Sequence, residues 1–205
     1  MTELVAPEQL VVALEPSQRE YLRELSRRWG FLSDLCFSDL LVYLPVPAED
    51  AFIVVSQVRP ATAQTVHLGD LVGRRYEASE VPAVASSYRS GGFAFSEWVD
   101  QASSHMVVSH AIPLRAGGSP FGVLARDYML NPQRIQGELE STYLMIFERF
   151  ARMILEGEYP YQSDESGGIP RVGDGVVLLD VDFGVTFFSP NAVSAIHRLG
   201  CQSPS

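Results

Sequence analysis

The chain has 205 residues, with 15 basic side chains against 25 acidic ones and a formal net charge of −10 at pH 7. All 15 cations are arginine, which excludes a Walker-type phosphate loop and Schiff-base catalysis, because both need a lysine amine. The acid excess leaves no basic face for nucleic acid or an anionic membrane, while 46% hydrophobic and 20% charged residues is the composition of a globular chain.

An amphipathic helix is expected from Ser17, where Ser17 and Glu20 give a capping-box pattern and Tyr21, Leu22, Leu25, Trp29 and Leu32 recur at helical spacing. Asp39–Val46 and Ala51–Val58 are apolar, β-branched runs around a proline-acid turn, which predicts a β-hairpin. The pattern loosens over 61–98, where a strand at Thr65–Leu68 and a short helix at Val81–Tyr88 are the expected elements. His105–Leu114 and Pro120–Tyr128 read as a second hairpin through the Gly117-Gly118-Ser119 connection.

Glu138–Glu156 is the clearest helix. Leu139, Tyr143, Ile146, Phe150 and Met153 follow the 4-3-4-3 spacing of a coiled-coil seam and are the candidate dimer interface. A second stripe, Leu144, Phe147, Ala151 and Ile154, lies about 100° around the helix. Either one stripe covers the sheet and the other meets a partner, or both form one wide buried face. The stretch 158–172, rich in Pro, Ser, Gly and acids, reads as a linker, and 173–205 adds a strand, a turn, a strand and a helix opening at Ser189-Pro190. Two strands and a helix do not bury a core alone. The chain is therefore expected to be a piece of a longer protein, with one domain over 1–157 and the start of another.

Antiparallel hairpins with helices gathered at the ends predict an α+β fold around a central antiparallel sheet. Specific residues narrow this. Trp29-Gly30-Phe31-Leu32-Ser33-Asp34-Leu35, Phe37-Ser38-Asp39-Leu40-Leu41 and Gln57-Val58-Arg59-Pro60 with Thr62, Thr65 and Val66 carry a likeness that continues through Ala151–Pro160, Gly173-Asp174-Gly175 and Leu179-Asp180-Val181-Asp182. Ser189-Pro190-Asn191-Ala192, His197-Arg198 and Leu199-Gly200 extend it. In these residues the sequence resembles the GAF-like sensor domain of actinobacterial cytosolic two-component histidine kinases, followed by the beginning of a PAS domain.

The resemblance implies a cytoplasmic, homodimeric sensory region without catalytic residues of its own. ATP and Mg would belong to a kinase domain beyond Ser205, which would autophosphorylate a histidine and pass the phosphoryl group to a response regulator of antiterminator type. The alternative is a purely structural GAF-like dimerisation module with no ligand.

The expected ligand-binding residues are Arg74, Arg75, Tyr88, Arg89 and Trp98, in the Gly-rich middle, where GAF domains build a pocket lid. Guanidinium forks beside aromatic rings suit a small anionic, phosphate-bearing planar ligand. No metal site is expected. His105 and His110, five apart, fall on opposite faces of a strand, and His67 and Cys36 have no partner at ligand spacing. The two cysteines, Cys36 and Cys201, match no disulfide framework, and Ile53–Val58 contains none, which argues against thiol-based sensing. Asp34 and Asp39, each in a Ser-Asp-Leu, are expected to bond backbone at the helix-to-strand turn.

Overall fold

The architecture comes from a computed structural model that describes residues 14–100, 104–130, 137–160 and 171–200. Helix α1 (Pro16–Cys36) leads into β1 (Asp39–Pro45) and β2 (Ala51–Val58), then β3 (Arg75–Glu77), α2 (Pro82–Ser90) and β4 (Ala94–Val99). Strands β5 (Met106–Leu114) and β6 (Gly122–Met129) and helix α3 (Glu138–Glu156) follow. A 3-10 turn (Val172–Asp174), β7 (Val177–Leu179), β8 (Val185–Phe188) and α4 (Pro190–Arg198) complete the described chain. Among the described residues no helix is long and apolar enough to cross a membrane.

Six strands form one antiparallel sheet in the order β3-β2-β1-β6-β5-β4, and β7 and β8 pair separately. Side chains alternate between faces along a strand, and here both faces are covered. Leu40, Val42 and Leu44 of β1, with Ile112, Leu114 and Leu124, pack beneath α1 and α3. Leu41 and Tyr43, with Val54, Ala111 and Val123, face α2 and Leu71. This double burial explains why β1 reads as an unbroken apolar run rather than an alternating one. Gly122 lets β6 approach β1 closely, since a Cβ there would lie 2.8 Å from Leu44 Cδ2 and 2.9 Å from the Tyr43 carbonyl oxygen.

Both hairpins, α2, α3 and the strand-turn-strand-helix of 177–198 form where the pattern places them. Local features differ, among them the short strand β3, which the loose pattern over 61–98 does not mark. The α1 cap is Glu15, not Ser17: the Glu15 side chain accepts from the backbone of Gln18, and the Gln18 side chain accepts from the Glu15 N–H at 3.0 Å. Helix α1 also runs four residues beyond Leu32, until Phe37 turns left-handed at φ 52°. Thr65–Leu68 is not a strand, because the backbone N–H groups of Val66 and His67 donate to the Asp39 carboxylate instead of to a ladder. Strand β4 forms at the sheet edge, where Phe95, Glu97 and Val99 are exposed and no clean alternation marks it.

The two stripes of α3 act as one wide face inside the protomer, which corrects the assignment of the first stripe to a partner. Tyr143 and Ile146 are buried with Phe147, Ala151 and Ile154 against the sheet and α1. Phe150 sits edge-on to Phe31 and to Tyr159, with ring centroids 5.9 and 5.0 Å away, and Met153 is half-buried on the same core. Leu139 alone of that stripe is well exposed, at 40%.

Packing of the first unit continues past residue 157. The Tyr21 hydroxyl donates to the Tyr159 carbonyl oxygen at 2.7 Å, and Val172 joins the same core cluster. At Gly175, φ is +102° and a Cβ would lie 2.5 Å from the Ala192 nitrogen, so glycine is required where the turn meets α4.

Candidate functional site

The face of the sheet opposite α1 and α3 carries a cavity of about 350 Å³. Its floor is Tyr43 of β1, Asp127 of β6 and Ser109 of β5; its walls include His67 and Leu71 from the β2–β3 loop, Tyr76 and Val84, and Ser96 and Trp98 of β4. Strand register sets the polar part of the floor. Asp39 pairs with Asp127, Asp127 with Ser109 and Ser109 with Ser96, so one row of polar residues crosses β1, β6, β5 and β4.

A carboxylate on a strand with both faces covered is costly unless it is hydrogen-bonded. Asp39 is fully provided for. Its Oδ1 accepts from the Thr65 hydroxyl at 2.6 Å, and its Oδ2 accepts from the backbone N–H groups of Val66 and His67. Asp34 accepts from the Ala61 N–H at 2.6 Å, so both aspartates bond backbone, but that of a loop more than 20 residues ahead rather than of the local turn. Arg59 donates to the carbonyls of His67, Leu68 and Gly69, and the Gln57 side chain accepts from the Leu71 N–H at 2.9 Å. A loop with no regular structure is thereby fixed as the cavity wall. It delivers the His67 ring to Asp127, with Nε2 2.7 Å from Oδ2 and the ring stacked on Trp98 at 6.1 Å.

Burial, and secondarily the Asp127 charge, pushes the Tyr43 hydroxyl well above the usual tyrosine range, so it stays protonated. On the helix side of the sheet, burial pushes the Cys36 thiol up to about 11 and His110 down to about 4. His110 stacks on Phe95 at 4.1 Å, and neither ring nitrogen has a hydrogen-bond partner among the described residues. Among the described residues no three His, Cys, Asp or Glu side chains are grouped to hold a metal ion.

Of the five expected ligand-binding residues, the structure brings Arg74 and Trp98 to the cavity. Arg75 points away into ion pairs with Glu49 and Glu77. Arg89 pairs with Asp50, and Tyr88 packs edge-on against Phe52 at 5.6 Å. The arginines therefore do not assemble into one anion site. Asp127, Tyr43 and Tyr76 line the cavity although no spacing in the sequence marks them, and His67, set aside as a metal ligand, lines it too. The available signal was an aspartate inside each of two strongly apolar strands, where an unpaired charge is not tolerated.

The chain is similar to known proteins over most of its length. The family model described as "Histidine kinase PdtaS, GAF domain" matches residues 8–146. The sensor histidine kinase PdtaS of Mycolicibacterium smegmatis is 35% identical over 198 residues, covering 93% of this chain and 39% of that protein. PdtaS of Mycobacterium tuberculosis is 36% identical over 194 residues, covering 91% and 38%. The chain thus spans about two-fifths of the length of these curated relatives. A solved structure described as "Sensor region of a sensor histidine kinase" matches with a TM-score of 0.77 and 31% identity, over 96% of this chain and 70% of that one. On the sequence match and the fold together, the chain belongs to the family of GAF sensor domains of the histidine kinase PdtaS.

Proposed function

We propose that this chain is the cytoplasmic sensory region of a two-component histidine kinase, in which a small molecule held in the 350 Å³ cavity alters the setting of α3 and so the activity of a kinase core. The observation that carries this reading is the juxtaposition of Arg126 and Asp127 on β6. Asp127 lines the cavity, and Arg126, next in the chain and on the other face, packs over the Phe147 ring of α3 at 5.2 Å. Arg126 also lies 3.7 Å from Glu148 of α3 and donates to Ser38 Oγ and the Cys36 carbonyl. A displacement of β6 by an occupant moves both ends of that contact. The signal is then a population shift between two settings of α3 in a homodimer.

In the full-length protein, ATP with Mg phosphorylates a histidine and the phosphoryl group passes to an aspartate of a response regulator, of the antiterminator type. The open cavity favours this sensory reading over a purely structural dimerisation module. The test is incubation of the full-length protein with labelled ATP and Mg. Acid-labile, base-stable labelling of the protein, chased onto a response regulator, supports the assignment; no such phosphohistidine contradicts it.

A further inference from the structure

The polar groups of the cavity define what it takes. Its lining carries one arginine, Arg74, against the acids Glu80 and Asp127, while Glu97 lies on β4 between the cavity-facing Ser96 and Trp98. Arg74 is at the rim and lies over the Tyr76 ring, 5.5 Å from its centroid. The deepest charge is Asp127, only 4% exposed. Its Oδ2 is held by His67 at 2.7 Å, and its Oδ1 has no hydrogen-bond partner among the described residues. The neighbouring Asp39 cannot lend a donor, since the Thr65 hydroxyl and two backbone N–H groups are directed at its own oxygens.

A buried carboxylate oxygen without a donor is strongly unfavourable, and a group that supplies one gains what the protein withholds. An anion brought to the same place meets the carboxylate charge in a poorly solvated site. The rings of His67, Trp98, Tyr43 and Tyr76 line the same space, and the stacked His67–Trp98 pair offers a flat aromatic edge.

We infer that the occupant of this cavity is a planar nitrogen base, an amidine or an N–H-bearing heterocycle without negative charge, which pairs with the Asp127 carboxylate and packs against Trp98. The inference rests on the sensory reading above and replaces a phosphate-bearing ligand with a base.

The test uses the chain itself and four probes: benzamidine, its neutral counterpart benzamide, the anion benzoate, and inorganic phosphate. Binding is followed through the tryptophan indole N–H resonances, where Trp98 reports the cavity and the buried Trp29 reports the opposite face. The expected result is a saturable shift of Trp98 with benzamidine, weakened at least tenfold by Asp127→Asn and by Trp98→Leu. Trp98→Leu alters a rim residue and decides the matter if Asp127→Asn does not fold. Benzoate or phosphate binding more tightly than benzamidine overturns the ligand class and leaves the sensory pocket standing. Saturable binding by none of the four overturns both, and benzamidine binding unchanged by either substitution overturns the site.

Discussion

Arg126 and Asp127 are consecutive on β6 and serve opposite faces of the sheet: the guanidinium lies over Phe147 of α3, and the carboxylate closes the floor of the cavity. Arg126 is 8% exposed and donates to Ser38 Oγ at 3.0 Å and to the Cys36 carbonyl at 3.2 Å. Arg126→Met keeps the apolar stem and removes the donors. Loss of hydrogen bonds from a buried charged group costs about 2–3 kcal/mol, which is expected as a lower urea midpoint with an unchanged slope.

Asp39 organises the cavity wall. Asp39→Ala strips the acceptors from Thr65, Val66 and His67 together. The expected cost is about 1–3 kcal/mol, because half-buried donors lose their acceptor together. Hydrogen exchange checks where the effect falls: the Val66 and His67 amides should lose protection while the α1 interior keeps it.

His110 makes stability depend on pH. Its folded pKa of about 4 lies below the ordinary 6.5, through burial and then the Arg126 charge, so the unfolded chain binds a proton that the folded chain refuses. Stability is unaffected above pH 6.5 and falls as pH drops from there towards 4. At pH 5 the loss from this group is about 2 kcal/mol relative to pH 7. His110→Phe, which keeps the stack on Phe95, should abolish that part of the difference between urea midpoints at pH 7 and pH 5.

The burial of α3 changes how a dimer is to be probed. Phe150 packs on Phe31 and Tyr159, so Phe150→Glu is expected to unfold the protomer, at about 3–5 kcal/mol, and says nothing about association. Leu139 and Met145 are 40% and 44% exposed. Leu139→Glu and Met145→Glu should leave stability within about 0.5 kcal/mol. Sedimentation should show a dimer for the parent chain that these two variants weaken; a monomeric parent contradicts a dimer through α3.

The fold was largely legible because its long elements have one dominant period each. The α3 stripes, the two hairpins and the Ser189 cap are local patterns, and the structure keeps them. What sequence left open was decided by distant partners. Whether Tyr143 and Ile146 face a neighbour or the sheet depends on α1, more than 100 residues earlier. The β2–β3 loop takes its shape from Asp34, Asp39, Gln57 and Arg59, which bond its backbone without any periodic signal. For the same reason proximity along the chain misled at Arg74 and Arg75: neighbours on an extended segment point apart, one to the cavity and one to Glu49 and Glu77.

Under the proposed function, the state of the cavity sets the autophosphorylation rate of the full-length protein. Ser96 lines the cavity from the edge strand β4, where a larger side chain can enter without displacing the sheet core. Ser96→Phe should change the initial rate of phosphohistidine formation at least fivefold, the lower end of ordinary coupling between sites, while the melting temperature stays near that of the parent. The parent rate in a folded Ser96→Phe variant would contradict the account.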